Sequence, residues 1–150
     1  MLFLLRVMPR SLRRIVIPYL PILQQFLRFG VVGVIGFLVD TTTVYSLRGM
    51  VGLYWAGAIA YLTASTGNWV LNRWWTFRGR NSGRAHHQWM RYLLANLIGF
   101  VVNRGVYALL VTFVPLAAAQ PVIAIAAGSI AGMFINFDLS RRLVFRLSTG

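Results

Sequence analysis

The sequence predicts an all-α membrane protein with four transmembrane helices, built from two parallel-oriented helical hairpin repeats. Three observations carry that prediction: the composition, the spacing of apolar runs, and an internal repeat. Hydrophobic residues make up 58% of the chain and charged residues 11%, whereas a soluble domain carries roughly a quarter charged. So little charge cannot cover a water-facing surface, and lipid is the expected solvent for most of the chain.

Residues 1–24 read as a basic N-terminal interfacial segment. The opening MLFLLRVMPRSLRR does not have the order of a cleaved signal peptide, because its short apolar stretch precedes the charges and breaks at Pro9. Arg10, Arg13 and Arg14 alternate with Leu12, Ile15 and Val16 in a pattern suited to a helix lying on the inner leaflet. Pro18 and Pro21 are expected to separate it from the first span. The transmembrane domain then runs over residues 25–150.

A spanning helix needs about 20 apolar residues. Phe29–Leu47, Leu53–Leu71, Tyr92–Val114 and Pro121–Leu139 meet that requirement. Short links at Arg48–Gly52 and Pro115–Gln120 pair these runs into two tight hairpins, joined by a longer link at Asn72–Arg91. Trp55, Trp74, Trp75 and Trp89 fall at span ends, where interfacial aromatics anchor helices.

The charges orient the hairpins. All fifteen cations are Arg. Thirteen fall in the N-terminal segment, the middle link and the tail; Arg48 alone sits at an opposite-side turn. Arg-rich loops face the cytoplasm, so both termini and the middle link are expected there, with the protein multi-pass in the cytoplasmic (inner) membrane. The formal charge of +13 therefore reads as a topology signal and not as a nucleic-acid footprint. No nucleic-acid partner is expected.

The repeat is explicit. QFLRF at Gln25–Phe29 corresponds to QWMRY at Gln88–Tyr92, and Ile35–Asp40 to Ile98–Asn103, both 63 residues on. NWVLNRWWTFR at Asn68–Arg78 corresponds to NFDLSRRLVFR at Asn136–Arg146, 68 residues on. Repeat 1 covers residues 25–78 and repeat 2 residues 88–146. Each is one hairpin entering from the same side, so an axis along the membrane normal should relate them, with any substrate path between them.

Polar residues inside the spans mark that path. Asp40, Asn68, Asn72, Asn103 and Asn136 lie on stripes that the repeat aligns, and polar groups in lipid usually face the bundle interior. The bland reading makes them interhelical glue; the functional one makes them a polar translocation seam. Asp40 lies about 16 Å beyond Phe29 along a helix, near the midplane, where a charge costs several kcal/mol unless paired or wet. Arg104, beside the repeat-equivalent Asn103, is counted with the seam and is the expected partner in an Asp40–Arg104 ion pair, which on the functional reading opens to substrate and lines the path. Asp138 is expected to pair locally with Arg141 or Arg142.

Arg28, Arg73, Arg91 and Arg141 form two repeat-related pairs at one membrane depth. They can simply complement helix ends and snorkel to headgroups. Guanidinium forks also suit phosphate capture, so a phosphate or lipid-headgroup site is the sharper expectation. Catalysis is not expected: two acids with no convergent base or nucleophile leave little chemistry to run. With no Cys and with His86 and His87 lacking co-ligands, no metal or other cofactor is expected either.

FLRFGVVGVIGFLVD at Phe26–Asp40, NWVLNRWWTFR at Asn68–Arg78, and RYLLANLIGFVVN with NFDLSRRLVFR in the second half resemble the GtrA-like family over about Gln25–Arg146. The N-R-x-W-x-F segment at Asn72–Phe77 is the most specific part; Arg104 and the long basic N-terminus depart from the pattern. The resemblance implies translocation of a polyprenyl-phosphate-linked monosaccharide across the bilayer for cell-surface polysaccharide glycosylation, with a membrane glycosyltransferase as partner. A non-transporting adaptor that recruits such an enzyme is the alternative. A small proton-coupled exporter is the third candidate, and the charge bias argues against its antiparallel assembly. Four short helices make a slim bundle, so a homodimer is expected.

Overall fold

A computed structural model describes residues 16–80 and 83–146; the proposed interfacial helix of the N-terminal segment lies outside them. Among the described residues every element is helical. A 3-10 turn at Ile17–Tyr19 leads into helix α1, Leu20–Leu71, which ends in a π-helical turn at Asn72–Thr76. Helix α2 covers Ala85–Phe113, the short α3 Pro115–Ala119, and α4 Pro121–Leu139, with a second π-helical turn at Ser140–Val144.

Three helical segments are long and apolar enough to cross a membrane: Ile17–Thr76, Ala85–Phe113 and Pro121–Val144. Their outward faces are apolar and uncovered, as at Leu38, Val101 and Ile125, which suits contact with acyl chains. The first segment holds 60 residues, about 90 Å at 1.5 Å per residue, where the hydrocarbon layer is about 30 Å thick. It is not straight. Gly52 breaks it at φ 78° and ψ 164°, a conformation open essentially to glycine alone.

Around that break the chain folds back. Gly36 in the first arm lies so close to Asn68 in the second that a Cβ at Gly36 would collide with the Asn68 amide. Lower down, Arg28 Nη1 donates to the Trp75 carbonyl at 3.1 Å. The sequence places a link at Arg48–Gly52; the helix in fact continues to the break itself, because nothing before Gly52 prevents it. The segment that Pro18 and Pro21 are expected to set apart from the span lies outside the described residues. The two prolines occupy the helix entry, where a missing N–H costs nothing.

Helices α2 and α4 pack through small residues. A Cβ at Gly128 would sit 2.6 Å from the Asn103 carbonyl oxygen, and Gly99 lies against Asn136 as Gly36 does against Asn68. Without a hydrophobic drive between helices in lipid, such close approach is a main source of cohesion.

The buried core gathers where both π-helical turns end. Phe29, Phe77, Tyr92, Phe137 and Phe145 form one cluster there. Phe77 and Phe145 stack with ring centroids 4.7 Å apart. Phe29 meets Phe77 edge-on at 6.3 Å, and Tyr92 meets Phe145 edge-on at 6.2 Å. The Phe29–Phe77 contact thus has its counterpart in Tyr92–Phe145 at the offsets seen in the sequence.

Candidate functional site

A cavity of 520 Å³ lies between the two halves. It is lined by five asparagines, Asn68, Asn72, Asn96, Asn103 and Asn136, together with Gly33, Ser65, Phe37 and Phe100, and no lining residue bears a formal charge. Phe29 and Tyr92 also line it, and the fully buried Phe77 and Phe145 belong to the same aromatic cluster. Of the predicted seam, Asn68, Asn72, Asn103 and Asn136 are thus brought together.

Their hydrogen bonds are incomplete. Asn72 Nδ2 donates to the Tyr92 hydroxyl at 3.0 Å, and Asn103 Nδ2 to Ser129 Oγ at 3.5 Å. The carbonyl oxygens of Asn68, Asn72 and Asn136 are buried without a partner among the described residues. Each unsatisfied buried acceptor costs about 1–3 kcal/mol.

Asp40 and Arg104 are not part of this lining. The expected ion pair between them does not form: among the described residues Asp138 and Arg142 alone make a salt bridge, Arg142 Nε lying 2.6 Å from Asp138 Oδ1. Helix geometry gives the reason. Arg104 is one residue, about 100°, past Asn103, so it turns off the seam and sets its guanidinium 5.5 Å from the Phe100 ring centroid on an exposed face.

The arginines divide. Arg73 donates to the side-chain carbonyl of Gln88, and Arg141 Nε to that of Gln25 at 3.3 Å. Both bonds join one half to the other at the base of the bundle. Gln88, itself buried, also reaches the Val144 carbonyl at 3.4 Å. Arg28 stays within its own half on the face of Trp75, 5.6 Å from the ring centroid, and Arg91 is exposed.

Arg80 joins this end of the molecule unforeseen. Its Nε is buried without a partner among the described residues, and burial, helped by the Arg141 charge, pulls its pKa below the usual guanidinium value.

Reasoning from sequence missed Gln25 and Gln88, although they open the repeat motif QFLRF/QWMRY. Trp89 also departs from the simple anchor expected of it. Its Nε1 donates to Thr66 Oγ1 at 3.1 Å, between the halves, whereas Trp74 is 73% exposed and free to meet headgroups.

Comparison with known proteins adds one finding. The family described as "GtrA/DPMS, transmembrane domain" matches residues 28–145. No curated protein matches the chain.

Proposed function

The chain belongs to the GtrA/DPMS transmembrane-domain family, and from that premise we propose that it translocates a polyprenyl-phosphate-linked monosaccharide across the cytoplasmic membrane. The family points to a membrane protein of lipid-linked sugar translocation; the flippase role is our reading. The observation that carries it is the uncharged, asparagine-lined cavity between the halves with arginines at its base.

In this reading the two arms of α1 and helices α2 and α4 are four spans. They form two like-oriented hairpin repeats with both termini and the arginine-bearing end in the cytoplasm. Arg73 and Arg141, joined by Arg28 and Arg91 at the rim, receive the phosphodiester in the inner leaflet. The sugar moves along Asn68, Asn72, Asn103 and Asn136 while the prenyl tail stays in lipid. Asp40 and Arg104 lie beside this route and not on it. Amides replace water around hydroxyls whose bare transfer to hydrocarbon costs about 2–7 kcal/mol each.

The protein makes and breaks no covalent bond in this scheme and uses no cofactor. Net direction follows consumption of the sugar donor by a membrane glycosyltransferase on the far side. A homodimer would give the slim bundle more enclosure for the headgroup.

The test is reconstitution. Purified protein in vesicles should move a labelled prenyl-phosphate sugar between leaflets, and Arg73→Ala with Arg141→Ala should abolish that movement. If the vesicles do not scramble the lipid while glycosylation in cells survives both substitutions, the adaptor reading replaces transport.

A further inference from the structure

The cavity's chemistry restricts what it can hold more narrowly than a lipid-linked sugar in general. Asn68 comes from one half and Asn136 from the other, each pressed on a glycine of its own hairpin, Gly36 and Gly99. The carbonyl oxygens of both, and that of Asn72, lack partners among the described residues. Asn72 is 1% exposed and its nitrogen is already committed to Tyr92, so its oxygen stays without a partner beside the cavity that Asn72 helps to line.

A guest must therefore bring donors, and bring them without charge. A hydroxyl both donates and accepts, so it answers an amide in either orientation; a carboxylate only accepts. No cation lines the cavity to offset an anionic guest, and an uncompensated charge away from water is strongly disfavoured. The arginines sit at the base, already engaged with Gln25 and Gln88. Charge and hydroxyls are thus handled in separate places.

We infer that this cavity is a binding site for an uncharged polyhydroxylated ring, held between Asn68 and Asn136, and that it rejects rings bearing a carboxylate or phosphate. The inference deepens the transport reading and rests on it for how such a ring arrives on its lipid. A cavity of 520 Å³ falls within the range of small-molecule sites, about 300–1,000 Å³, and has apolar walls at Phe37 and Phe100 for the ring's C–H faces.

The experiment uses the full chain in nanodiscs, with octyl glucoside and octyl glucuronide as labelled probes below their micelle-forming concentrations. Binding to empty nanodiscs is subtracted. Glucoside should bind at least tenfold more tightly than glucuronide, and Asn68→Leu and Asn136→Leu should each weaken glucoside binding at least tenfold. Should either variant fail to fold, Asn72→Leu carries the same expectation. Equal binding of the two probes, no binding of either, or variants that bind glucoside like the parent would each overturn the site. Scrambling of a labelled prenyl-phosphate glucose is measured on the same purified proteins reconstituted in closed vesicles. Scrambling lost with discrimination retained would sink the transport reading alone, and scrambling retained with no discrimination would sink the site alone.

Discussion

Gln25, at the start of the first half, accepts a hydrogen bond from Arg141, at the end of the second, over 3.3 Å. Arg73 and Gln88 make the reciprocal bond. The two pairs are equivalent in the sequence repeat, since Gln25 and Gln88 differ by 63 residues and Arg73 and Arg141 by 68. The Phe77–Phe145 stack likewise pairs two repeat-equivalent residues, 68 apart. The base of the bundle is thus closed by two equivalent latches around one aromatic plug.

Equivalent latches should contribute equally. Gln25→Leu and Gln88→Leu are each expected to destabilise the fold by about 1.5–3 kcal/mol, the usual worth of a hydrogen bond to a charged group. Thermal unfolding in detergent measures this. A double-mutant cycle on Gln25 and Arg141 should give a coupling that the Gln88–Arg73 cycle matches. Near-zero coupling in both would show the bonds to be incidental.

Much of this was legible in the sequence for a definite reason. A repeat fixes which residues must be equivalent, so Asn68 with Asn136 and Arg73 with Arg141 could be paired before any coordinates. Helical period told less. It placed Asp40 and Arg104 at one depth but not on one face, and the 100° step between Asn103 and Arg104 decided the matter. The π-helical turns were invisible, since no local composition demands them. They matter here because each lets the amide of Phe77 or Phe145 reach back to Asn72 or Ser140, at 2.8 Å in both halves, where the two rings stack on each other. Gln25 and Gln88 were overlooked because a neutral side chain in an Arg-rich motif draws no attention until its partner is seen.

The Gly–Asn contacts make a second prediction. Gly36→Ala and Gly99→Ala each drive a Cβ into an asparagine amide, which must swing aside, so the cost falls at the low end of overpacking, about 1 kcal/mol. Gly36→Ala should be relieved when combined with Asn68→Ala, which removes the obstructing amide. Gly57→Ala, whose Cβ would meet nothing within 4 Å, should be neutral or slightly stabilising. Denaturation in mixed micelles checks all four, and a Gly36→Ala protein as stable as the parent would mean the arms are further apart than described.

Gly52 is the third test. At φ 78° and ψ 164° a side chain is strained by about 1–3 kcal/mol, with no neighbour within 4 Å to add a steric cost. Gly52→Ala should therefore lower stability by backbone strain alone. Gly49→Ala, in the preceding helical turn, should not. Equal effects at the two positions would argue that the chain reverses elsewhere.

Orientation can be read directly, because the chain contains no Cys and any introduced thiol is unique. Gly49 and Ala118 stand near the two reversals and are exposed; His86 stands in the first turn of α2 at the arginine-bearing end. Gly49→Cys and Ala118→Cys should both react with an impermeant maleimide added outside intact spheroplasts. His86→Cys should react only after permeabilisation. Thirteen cations in the N-terminal segment, middle link and tail of the sequence against Arg48 alone at an opposite-side turn set this expectation, and the cross-half bonds require that the two reversals share a side: Arg73 can reach Gln88, and Arg141 Gln25, only if both hairpins have their open ends together. Labelling of Gly49→Cys and Ala118→Cys from opposite sides would leave no way to form either latch, and the shared cavity would go with them.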